Sequence, residues 1–122
     1  SAPALNLAAS QRLSQHALVV LLSSLEAVSH DQALTDVLAM IAHKHTLIFA
    51  SAINPQIEQM SHERDNADLA YQAAAAERTL LETNQARSQL KRLGIEVVES
   101  APATLAPALA DTYLALKAAG RL

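Results

Sequence analysis

His45-Thr46-Leu47-Ile48-Phe49-Ala50-Ser51-Ala52-Ile53, closed by Asn54-Pro55, is an apolar run of strand length. A strand with one face in water alternates apolar and polar residues, whereas a nearly continuous run marks a strand covered on both faces, as in parallel sheets. The Pro of the closing pair biases Asn54 away from helical backbone and ends the element. Upstream, His16-Ala17-Leu18-Val19-Val20-Leu21-Leu22-Ser23-Ser24 has the same character, and downstream Ile95-Glu96-Val97-Val98-Glu99 is a shorter version. These runs predict strands at about 17–24, 45–53 and 95–99.

Helical patterns fill the intervals. Ser29 and Gln32 have the spacing of a capping box, and Ala33, Leu34, Val37, Leu38, Met40 and Ile41 recur at helical steps, which predicts a helix over about 30–43. Residues 66–93 are Ala-rich and free of breakers, with one face marked by Leu69, Ala73, Ala76, Leu80, Thr83, Ala86 and Leu90. Arg87, Lys91 and Arg92 suit the negative end of that helix dipole, and Gly94 suits the left-handed position beyond it. Further helices are predicted over about 4–15, with Pro3 in the first turn, and over about 104–119 along Leu105, Leu109, Tyr113 and Leu116. The order αβαβαβα defines an α/β fold in three layers, a short parallel sheet of about three strands with helices on both faces. Smaller doubly wound, Rossmann-like folds have about five strands, so residues 1–122 read as one partial domain, half of such a fold.

Composition narrows the function. Hydrophobic residues make up 51% and charged residues 17%, enough apolar material for a packed core. An aromatic share of 2% without Trp argues against a base-stacking platform or a sugar groove, and a net charge of −3 offers no basic footprint for nucleic acid. No Cys is present, which removes disulfides, thiolate metal sites and thiol nucleophiles. The longest apolar run, Ala17 to Leu22, falls far short of the roughly 20 residues of a membrane span, so the segment reads as soluble.

In an open parallel sheet the residues to examine follow the strands. Here they are Ser23, Ser24 and Glu26, then Asn54, Gln56 and Glu58, then Ser100. Oxygen ligands there could hold a hard cation, but both carboxylates lie beyond the strand ends, and loop capping is the simpler use. Gly94 and Gly120 both follow helices, so no glycine-rich phosphate loop exists. His43 and His45, with His30 or His62, have weak metal spacing, since His-x-His across a helix end does not put both rings on one face. No Gly-x-Ser-x-Gly turn marks a nucleophile. The sequence therefore predicts no enzyme. The polar stretch from Glu58 to Asp68 reads as a solvated helix start or, alternatively, a partner-facing loop.

Several segments together resemble a known family. Leu18 to Glu26, Ala42 to Phe49, Ile53 to Glu58 and above all the ending, Leu90 to Gly94, Val97-Val98 and Leu109 to Leu122, are similar to the second half of the von Willebrand factor A-like domain of the bacterial "domain of unknown function 58" family. The resemblance implies an upstream half with the first strands and, in many A-like domains, an Asp-x-Ser-x-Ser loop that binds Mg or another divalent cation with a Thr and an Asp from later loops. It puts the later Asp at Ser24, and Asn54 stands where an Asp often precedes the loop's Pro; both departures remove charge. It also implies a non-catalytic protein-interaction module acting with a MoxR-type AAA+ ATPase in complex assembly or maturation, cytoplasmic-facing, in a parent that can be membrane-anchored. The alternative it carries is a divalent-cation-dependent binding domain whose metal loop lies upstream. Ser24, Glu26, Asn54, Gln56 and Glu58 are then the candidate interaction residues. In the A-like strand order the run Leu18 to Ser23 would lack its neighbour on one side, which predicts a homodimer edge at Leu18, Val20 and Leu22.

Overall fold

The computed structural model describes residues 16–53 and 67–122. The helix expected over 4–15 lies outside the described residues. Within them the chain forms β1 (Leu18–Leu22), α1 (Leu25–Ser29), α2 (Gln32–Lys44), β2 (Thr46–Ala52), α3 (Ala67–Arg92), β3 (Glu96–Ser100), a 3-10 turn (Pro102–Thr104) and α4 (Leu105–Ala118). The strands make one parallel sheet in the order β1-β2-β3, with Leu18 opposite Thr46 and Ile48 opposite Glu96. The α/β class, the three parallel strands and the helices on both faces are as the alternation of patterns predicts.

Side-chain alternation along β2 divides the core. Leu47 and Phe49 point to one face, where Leu21 of β1, Leu25 and Val28 of α1, Leu34, Leu38 and Ile41 of α2, and Ala86 and Leu90 of α3 bury them. Ile48 points to the other, where Val98 and Leu116 of α4 meet it. Three helices thus share one face and α4 covers the second, packing mainly on β3 and β2. Among the described residues only those after β3 reach the second face, and they leave its β1 end thinly covered.

Local chemistry moved several boundaries. The capping box at Ser29 is not used: Ser29 ends α1, its hydroxyl donating to the Glu26 carbonyl, and the N-cap of α2 is Asp31, whose carboxylate accepts from the Leu34 N–H at 3.1 Å. α1 itself has no counterpart in the predicted elements; Ser24 caps it by accepting from the Ala27 N–H at 3.1 Å. Met40, placed on the apolar stripe by its spacing, is exposed. Replacing Asp31 by Ala removes one side-chain acceptor from the first turn of α2 and should cost about 1 kcal/mol in urea unfolding, with Asp31→Ser retaining most of it.

The two glycines act as the sequence predicts. Gly94 has φ +82°, its N–H donates to the Lys91 carbonyl, and the following Ile95 N–H reaches back to Leu90, the paired bonds of a Schellman ending with Ile95 and Leu90 both buried. At the opposite end of the strands, His45 is buried; its Nδ1 accepts from the Ala17 N–H at 3.1 Å, which puts the proton of the neutral ring on Nε2. His45 thereby ties the entry of β1 to the entry of β2.

Candidate functional site

The carboxyl ends of the strands carry a cavity of about 370 Å³. Ser24 and Glu26 reach it from the turn after β1, Ser51, Ala52 and Ile53 from the end of β2, Glu99 from β3, and Thr79, Leu80, Thr83 and Arg87 from α3. Two periodicities assemble this wall. Residues 79, 83 and 87 are four apart and share a helix face, while Ser51 and Glu99 lie two positions beyond Phe49 and Val97 and so face α3 as those residues do.

Arg87 and Glu99 form its charged fixture. The Nη2 group donates to Oε1 at 2.6 Å, Nε donates to Oε2, and Nη1 donates to the Asn84 side-chain oxygen, a fork that matches carboxylate geometry. The side chains are only 28% and 24% exposed. The hydrogen bonds Arg87 donates to Glu99 raise its pKa above the ordinary value; burial partly opposes this, and the opposite charge adds to it. Around the pair, Thr79 and Thr83 donate to the Ala75 and Leu80 carbonyls at 3.2 and 3.0 Å, and Ser24 is occupied as a cap. Ser51 is buried and makes no side-chain hydrogen bond among the described residues. Most polar groups of the wall are therefore committed to holding the wall itself, which leaves exposed Glu26 and the half-exposed, apolar Ile53 at its rim.

Ser24 and Glu26 line this cavity together, as sequence reasoning singled them out; Asn54, Gln56 and Glu58 lie outside the described residues. Ser100, expected to follow the third strand, is instead its last residue, and its hydroxyl pairs with that of Thr104. The histidines do not converge: His43 is exposed, His45 is buried, His30 faces Glu82 at 3.2 Å, and His62 lies outside the described residues. Among the described residues no group of three or more His, Asp or Glu is placed to hold a metal ion. Ser51, Thr79, Thr83, Arg87 and Glu99 were not assigned to a site from sequence, where Thr83 and Arg87 had only helical roles. The available signal was the strand period, which sets Ser51 and Glu99 on the face of Phe49 and Val97.

A second feature lies on the β1 edge. Leu18 is half-buried against the α4 side of the core, but Val20 and Leu22 are 47% and 66% exposed. Among the described residues no helix is long and apolar enough to cross a membrane.

Sheet, layers and strand-end cavity of the described residues define a parallel, Rossmann-like α/β protein. No family model matches the chain, and no curated protein or solved structure matches it.

Proposed function

We propose that the chain is a non-catalytic protein-interaction module whose strand-end surface receives a protein partner. One observation carries this reading: the cavity is concave, yet most of its polar side chains are engaged in hydrogen bonds within the wall and its helices, so what it presents outward is mainly shape, the Glu26 carboxylate and the apolar Ile53. Such a surface suits recognition of a partner's side chain better than bond-making, which needs a nucleophile and a base free to act. The resemblance stated above supplies the partner class, a MoxR-type AAA+ ATPase acting in complex assembly or maturation, with the module facing the cytoplasm in a parent that can be membrane-anchored.

The test is binding of residues 1–122 to a purified MoxR-type ATPase from the same genome, followed by biolayer interferometry. Wild type should bind, and Glu26→Lys and Ile53→Asp, both at exposed positions, should weaken binding tenfold or more without changing the circular dichroism spectrum. An absence of binding overturns the partner, and binding indifferent to both substitutions overturns the surface.

A further inference from the structure

The outer edge of β1 has a parity that can be read from its hydrogen bonds. The Ala17 carbonyl accepts from the Thr46 N–H and the Ser23 N–H donates to the Ala50 carbonyl, both at 3.0 Å. In a parallel ladder a residue turns both backbone groups toward the same neighbour and the next residue turns them away. Ala17, Val19, Leu21 and Ser23 therefore bond to β2, while Leu18, Val20 and Leu22 direct their N–H and C=O groups at the outer edge, which no strand among the described residues pairs with. By strand alternation the same three residues carry the side chains of the thinly covered face. Outward-directed backbone thus coincides with the exposed side chains of Val20 and Leu22 on Leu-Val-Val-Leu-Leu, a strand with no charge or Pro and an unbroken register. Natural edges ordinarily carry such devices to prevent pairing.

We propose that this edge pairs antiparallel with the same edge of a second copy of the chain, about a two-fold axis at Val20. The outward-facing set is symmetric about Val20, and that symmetry selects a second copy as the occupant. In this register Val20 lies opposite Val20 of the second copy and Leu18 opposite Leu22 of the second copy, so each facing pair exchanges both of its hydrogen bonds and each apolar side chain meets another. An isologous contact of this kind closes at two and cannot propagate. Each chain carries a net charge of −3, but β1 itself is uncharged, so no like charges meet in the pairing. The product is one continuous sheet with the two β1 strands at its centre and both α4 helices on one face. The proposal is independent of the strand-end reading, which uses the carboxyl ends of the strands and not the β1 edge.

The chain has no Cys, so single cysteines report the register cleanly. Residues 1–122 should show a light-scattering mass of twice 13.0 kDa, falling to 13.0 kDa in Val20→Lys with the circular dichroism spectrum retained. Val20→Cys should cross-link to itself with a short bis-maleimide, because opposed residues of a hydrogen-bonded pair lie about 5.5 Å apart. Leu18→Cys should not cross-link to itself, because the two copies of that position are displaced by about 13 Å along the strands, but it should cross-link to a chain carrying Leu22→Cys. A wild-type monomer at every accessible concentration overturns the pairing, as does a dimer that survives Val20→Lys. A dimer in which Leu18→Cys links to itself overturns the register.

Discussion

Replacing Phe49 by Ala is expected to lower the free energy of unfolding by about 3–5 kcal/mol, the usual range for truncating a buried aromatic. Phe49 is fully buried at the middle of the central strand, opposite Leu21 on one side and Val97 on the other. Its ring lies in the cluster that joins α1, α2 and α3 to the sheet, so the cavity left behind is bounded by elements already fixed by their own contacts and cannot collapse easily. Domains of this size have about 5–15 kcal/mol in total, so the variant should retain a cooperative but much earlier urea transition. Leu81→Ala, at an exposed helical position, should stay within about 0.5 kcal/mol of wild type. Equal transitions for the two variants would mean that Phe49 does not sit in the core described above.

Phe49 also shows why the fold was legible in the sequence. The run from His45 to Ile53 is apolar at nearly every position because β2 is covered on both faces, and that cover requires helices before and after it. Gly94 and Gly120 were legible for a similar reason, since a left-handed residue past a helix has few other solutions. The short helix α1 was not legible. Its five residues carry too little period to register, and the cap that starts it, Ser24, is indistinguishable in sequence from a loop serine. The same competition displaced the start of α2, where Asp31 rather than Ser29 provides the acceptor. At the candidate site, Ser24 and Glu26 could be named because they follow a strand directly. Arg87 could not, because its apparent reason for being there was the negative end of α3, and only the packing of α3 against β3 turns its side chain onto Glu99.

Replacing Arg87 by Leu should cost about 2 kcal/mol, within the range for a hydrogen bond to a charged group and below that for breaking a fully buried pair, since both side chains keep some contact with solvent. Most of that cost belongs to Glu99, which is left mostly buried with no cation to bond its two oxygens. Adding Glu99→Val, a good strand residue, should therefore recover at least half of the loss, because an apolar pair has no charge to desolvate. The pair's contribution has a one-sided pH dependence. The Arg87 pKa is raised in the folded chain, so the stability it supplies is complete at every pH below its ordinary value and is lost only at strongly alkaline pH. Urea unfolding of wild type and both variants at neutral pH measures the loss and its recovery directly. If the double variant is as unstable as the single one, Arg87 acts through the packing of its stem and not through its charge. If the double variant recovers, the charged fixture on the cavity wall is replaceable for folding, and its retention there must be explained by what the strand-end surface binds.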